Sequence, residues 1–189
     1  MQLETIYTKN IHPKFWAENK NNCRLNCGSF ALGVDSWYSP YIDDDDLDAD
    51  MWEYSYSDRK EWIEDMVYEG YNLYEIIEYV VERDFEFILK TCPWLEPIKK
   101  EDISREDRVI AYRISLNIPE ERLEFDADED MDFHFRVQID GEWWEKNGSG
   151  SAHFISNEID EEPWENCEFL IYDGAIKYAR FRRENEQEI

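Results

Sequence analysis

Asp132-Phe133-His134-Phe135-Arg136-Val137-Gln138-Ile139-Asp140-Gly141-Glu142-Trp143-Trp144-Glu145-Lys146-Asn147 is the stretch that decides the fold. Its first eight residues alternate, so Phe133, Phe135, Val137 and Ile139 fall on one face of a strand and Asp132, His134, Arg136 and Gln138 on the other. Asp140-Gly141 signals a two-residue hairpin turn, and residues 142–147 then return antiparallel. That turn pairs Ile139 with Glu142, Gln138 with Trp143, Val137 with Trp144, Arg136 with Glu145, Phe135 with Lys146 and His134 with Asn147. Opposed side chains share a face. His134 therefore has Asn147 opposite it and Glu145 within diagonal reach.

Outward from the hairpin, the period on the N-terminal side is that of helices. Asp58-x-x-Glu61 reads as a capping-box start, Trp62, Ile63, Met66 and Val67 form an apolar stripe, and Gly70 closes the helix. Asn72-x-x-Glu75 starts a second helix, with Leu73, Ile76, Ile77, Val80, Val81, Phe87 and Ile88 on one face until Thr91-Cys92-Pro93 stops it. Both stripes are assigned to the core. A strand is expected over 108–115, and a further hairpin over 167–172 and 175–181 across Asp173-Gly174. Acid-rich loops are expected at about 35–57 and 117–131, and a polar tail at about 183–189. Helices followed by antiparallel strands specify a single α+β domain over 1–189.

The 189 residues hold 46 Asp and Glu against 20 Lys and Arg, a formal net charge of -26, while 42% hydrophobic and 16% aromatic content supports a packed core. Such a charge repels phosphate backbones and anionic membranes, which excludes direct nucleic-acid binding and favours basic partners. No apolar run approaches the roughly 20 residues of a membrane span. The N-terminus lacks the basic and apolar regions of a secretory signal, and four cysteines do not make a disulfide scaffold, so a cytoplasmic, reduced setting is expected.

Chemistry enters at Asn22-Cys23-Arg24-Leu25-Asn26-Cys27-Gly28-Ser29-Phe30-Ala31-Leu32-Gly33. The stretch reads as a loop entering a short helix, with Asn26 as N-cap and Cys27 in the first turn, where backbone N–H groups favour a thiolate. A nucleophilic cysteine needs a base, and the base an orienting group. His134 is the candidate base and Glu145 or Asn147 the orienting group. The Cys27 backbone N–H and the Asn22 amide are the candidate oxyanion donors. The plainer alternatives are a buried core Cys27, a half-exposed His134 and a Glu145 that serves as ion-pair partner of Arg136. Cys23-x-x-x-Cys27 with His12 or His153 lacks the second ligand pair of a zinc site, so neither metal nor cofactor is expected.

In their order, Asn26-Cys27-x-x-x-Ala31-Leu32-Gly33, Asp132-x-His134-Phe135 and Asp140-Gly141-x-Trp143-x-x-Lys146 resemble bacterial and phage proteins of the papain-like cysteine peptidase superfamily, related by fold to cell-wall endopeptidases and CHAP amidases. The resemblance implies helices packed on an antiparallel sheet, with Cys27 as nucleophile and His134 as base. It places the third position at Glu145, where strand geometry favours Asn147. The function expected is that of a cytosolic cysteine hydrolase cleaving a peptide or other amide bond in a basic substrate. The alternative is a non-catalytic acidic inhibitor or adaptor on the same fold, a nucleic-acid mimic such as a phage anti-defence protein, engaging a protein partner through its acidic loops.

Overall fold

The computed structural model describes residues 25–34, 36–46, 49–148, 150–158, 164–166, 170–171 and 175–182. Three helices, α1 (Cys27–Leu32), α2 (Tyr56–Glu69) and α3 (Leu73–Thr91), precede β1 (Leu95–Ile98) and β2 (Val109–Leu116). A single-turn α4 (Ala127–Asp130) leads into β3 (Met131–Ile139), β4 (Glu142–Lys146) and β5 (Ala152–Ser156). Last come a two-residue pair, β6 (Glu165–Asn166) with β7 (Leu170–Ile171), and β8 (Lys177–Phe181). Six strands form one antiparallel sheet in the order β1-β8-β2-β3-β4-β5. The fold is α+β.

Local chemistry explains the helix limits. Asn72 and Glu75 make the expected reciprocal cap of α3. α2 begins earlier than the Asp58 signal suggests, because Ser55 supplies the cap: its Oγ accepts from the Asp58 N–H at 2.9 Å, and Asp58 becomes a favourable first-turn acid. Gly70 ends α2 in the left-handed conformation, φ 88°. The segment expected as a loop over 35–57 is more ordered than that. Tyr38 and Ile42 are buried, Ile42 bridges to Ser55, and short 3-10 turns occupy Asp44–Asp46 and Ala49–Tyr54. Within 117–131, Asp126 caps α4 through the Asp128 N–H.

α3 packs on β1 and β2, α2 on α3, and α1 on β3 and β4. The main core joins Ile76, Val80, Val81 and Ile88 of α3 to Ile110, Tyr112, Phe135 and Val137 of the sheet. Each such side chain contributes roughly 1.5 to 3 kcal/mol by leaving water. The opposite face of the sheet is also covered, by a second cluster of Val109, Ala111, Trp143, Trp164 and Tyr178. That cover buries His134, Arg136 and Gln138, so His134 is not the half-exposed residue of the plainer reading. Gln138 shows how this is tolerated, since its Nε2 donates to the carbonyls of Ser104 and Asp107 at 2.7 and 2.9 Å.

The sheet departs from expectation at three strands. β1 and β5 carry no clear alternation in sequence, and Pro97 is tolerated in β1 because that strand lies at the sheet edge. The expected hairpin over 167–172 and 175–181 does not form: β7 pairs with β6, whereas β8 inserts between β1 and β2. Residues 167–169, 172–174 and 183–189 lie outside the described residues. No helix among the described residues is long and apolar enough to cross a membrane.

Candidate active site

Asn26 builds the start of α1. Its Oδ1 accepts from the Ser29 N–H at 2.9 Å and the Tyr38 N–H at 3.2 Å, and its Nδ2 donates to the Tyr38 carbonyl at 2.6 Å. One side chain thus caps the helix and clamps the chain that returns past it. Gly28 lets α1 sit this close, because a Cβ there would meet Tyr38 Cδ1 at 2.9 Å and Phe135 Cε2 at 3.3 Å. Gly28→Ala is expected to destabilise by about 1 to 3 kcal/mol through overpacking, read as a lower midpoint in urea; a wild-type midpoint would contradict this packing.

The helix start brings Cys27, 6% exposed, against β3. Its Sγ lies 4.0 Å from the Phe133 carbonyl oxygen, and the thiol is near enough to the next side chain along, His134, to help raise its pKa. On its other side the His134 Nε2 meets Glu145 Oε2 at 3.2 Å. Pairing of β3 with β4 follows the expected register from Ile139–Glu142 to Arg136–Glu145 and ends there. Glu145 reaches His134 along the diagonal, as its position in the register allows.

Glu145 is shared. The same Oε2 accepts from Arg136 Nε at 2.8 Å, and Oε1 lies 3.0 Å from His153 Nε2. Burial pulls the His134 pKa down, but hydrogen bonds to Cys27 and Glu145, and the charges of both, outweigh it and hold the imidazole at about 9. Burial pushes the Glu145 carboxyl up, but His134 and Arg136 hold it at about 2. A buried imidazole flanked by a thiol and an ionised carboxylate can take a proton from sulfur and keep it.

Trp164 closes the arrangement. Its ring stands edge to face with His134 at 6.1 Å between centroids, and the Arg136 guanidinium lies 4.2 Å over it. Beyond β4, the buried Lys146 Nζ donates to the carbonyls of Gly148 and Gly150 at 2.7 and 2.5 Å, holding the loop that leads to β5.

Of the residues expected from sequence, Cys27, His134 and Glu145 come together. Asn147 lies past the last β3–β4 pair, half-buried, with a buried Oδ1 that has no hydrogen-bond partner. Asn22, Cys23 and His12 are outside the described residues. His153, weighed as a zinc ligand, is directed at Glu145. Among the described residues no group of three His, Cys, Asp or Glu side chains is placed to hold a metal ion. Arg136 is the ion-pair partner expected of Glu145, without displacing His134 from it. Trp164 was hidden in an acidic run, where a lone tryptophan between prolyl and glutamyl residues is the one signal of an anchored segment. No family model matches the chain, and no curated protein or solved structure is significantly similar to it.

Proposed function

We propose that the protein is a papain-like cysteine hydrolase that cleaves a peptide or other amide bond in a basic substrate. The observation that carries this reading is that the start of α1 sets the Cys27 thiol against β3 beside His134, whose Nε2 meets the Glu145 carboxylate at 3.2 Å. His134 takes the thiol proton, and the Cys27 sulfur attacks the substrate carbonyl carbon, moving an electron pair onto its oxygen. When the tetrahedral intermediate collapses, the C–N bond breaks and the imidazolium gives its proton to the departing amine. Water then adds to the thioester with His134 as base, which releases the acid and restores the thiol. Glu145 keeps Nε2 protonated and turns Nδ1 to the sulfur. The Cys27 backbone N–H is the oxyanion donor within the described residues.

The test is alkylation by iodoacetamide at neutral pH in a Cys23→Ser, Cys167→Ser background. Cys92 is a built-in reference, because burial pushes its thiol up to about 12. Fast labelling of this protein and loss of that labelling in Cys27→Ala is the expected result. Equal labelling of both would sink the proposal.

A second reading rests on the net charge of -26: a non-catalytic inhibitor that blocks a basic channel on a partner. Its binding would survive Cys27→Ala and weaken steeply with salt. Unchanged binding after charge reversal of the acids in 43–50 would remove it.

A further inference from the structure

The outer face of the α2–α3 pair holds a cleft that shares no residue with the Cys27 site. Trp62, Asp65, Met66 and Glu69 follow one another along α2 at i, i+3, i+4 and i+7, so they form a single stripe. With Tyr71, just past the left-handed turn at Gly70, and Tyr79 of α3, they line a cavity of about 280 Å³. Trp62 was expected in the core, yet it is only partly buried and forms one wall. The Tyr79 ring stands perpendicular to it, 85° at 6.3 Å between centroids. Tyr79 and Tyr71 are 54% and 40% exposed, Asp65 and Glu69 are exposed, and Met66 is buried beneath them.

All the charge in this lining is negative. The cations of the two helices are engaged elsewhere: Arg59 with Asp84, Lys60 with Glu64, Asp126 and Asp128, Arg83 with Asp58, and Lys90 with Tyr54. Arg122, the neighbouring cation from the loop before α4, donates to the carbonyls of Val67 and Tyr71. Aromatic faces present negative potential, and perpendicular rings offer it from more than one side. That geometry suits a compact ammonium more than a flat guanidinium, which stacks on a single face. The volume lies just below the roughly 300 Å³ at which small-molecule sites begin, a size for one side chain.

We propose that this cleft is a docking site for a basic peptide segment, taking one lysine side chain against Trp62, Tyr71 and Tyr79 with its ammonium on Asp65 and Glu69. The site stands whether or not Cys27 is a nucleophile. The overall negative charge draws such a segment in, and the cleft fixes where it binds.

The test is a titration of the protein with a peptide of alternating lysine and glycine, followed through the Trp62 indole N–H signal in NMR spectra at fixed physiological salt. Saturable movement of that signal is expected. Tyr79→Leu and Tyr71→Leu change no charge and replace exposed rings, and each is expected to weaken binding about fivefold. Asp65→Asn with Glu69→Gln is expected to weaken it more, while Glu101→Gln with Asp102→Asn, an equal loss of charge on a different surface, leaves it unchanged. Cys27→Ala keeps full binding, which separates this result from the fate of the hydrolase proposal. Aromatic variants that bind like wild type, a control pair that weakens binding as much as the cleft pair, or choline or an arginine–glycine peptide binding more tightly would each overturn the assignment.

Discussion

Asp84→Asn is expected to destabilise the fold by about 3 to 5 kcal/mol, the cost of leaving a buried charge without its partner. Arg59 on α2 has no exposed surface, and its guanidinium grips Asp84 of α3 at both oxygens, Nε to Oδ1 at 2.8 Å and Nη2 to Oδ2 at 2.5 Å. The Tyr112 hydroxyl of β2 donates to the same Oδ2 at 2.6 Å. One carboxylate therefore ties two helices to the sheet. Asparagine keeps its volume but lacks the charge, and its N–H₂ end faces a donor. The remaining contacts of Arg59, Met131 Sδ at 3.3 Å and the Tyr41 ring at 5.4 Å, are weak substitutes. Urea unfolding measures the loss, and a loss under about 1 kcal/mol would contradict the burial of this charge. Arg59→Met with Asp84→Leu and Tyr112→Phe is expected to recover most of the stability, because apolar side chains fill the site with neither a charge to desolvate nor a hydroxyl left without its acceptor.

The alkylation rate of Cys27 by iodoacetate should fall on the alkaline side as pH passes about 9, where His134 loses the proton whose charge draws the anionic reagent. The sign follows from the direction of the shift. A histidine pKa raised from 6.5 means the protonated form is favoured in the fold, so its contribution to stability is complete below about 6.5 and fades through about 9. Glu145 is held at about 2 and stays ionised across that range. Glu145→Gln removes its charge and is expected to move the alkaline limb down by about one unit, close to 1.4 kcal/mol. Asn147→Ala is expected to leave the limb in place. The reverse pattern would transfer the orienting role to Asn147, and no movement in either variant would mean that this hairpin does not hold the orienting group.

The β3–β4 hairpin was legible because alternation and an Asp-Gly turn are local signals: Asp140 and Gly141 take φ values of 54° and 78°, as a two-residue turn requires. Asn26 and Cys27 were legible for the same reason, since a cap and the residue after it are neighbours in sequence. The burial of His134 and Arg136 was not. Their face reads as solvated until Trp143, Trp164 and Tyr178 cover it, and two of those three are far along the chain. Which of Glu145 and Asn147 lies beside His134 depends on where pairing stops, at Arg136 opposite Glu145, and residue types do not encode that point. Arg59 and Asp84 each look like surface charges on an amphipathic helix. Only the packing of α2 against α3 shows that they need each other.

The place of β8 has a consequence for how the chain assembles. Leu95 of β1 pairs with Phe181 and Val109 of β2 with Arg180, so among the described residues the edge strand joins the sheet only through β8, the last of the described strands. During synthesis α1 to α3 and the β2–β3–β4–β5 meander can gather first, since their contacts are closer in sequence. β1 must wait, with its pairing groups unmet, until residue 181 has left the ribosome. A nascent chain stalled before β8 would thus carry two open strand edges, on β1 and β2, and would be the form most exposed to chaperones and to aggregation.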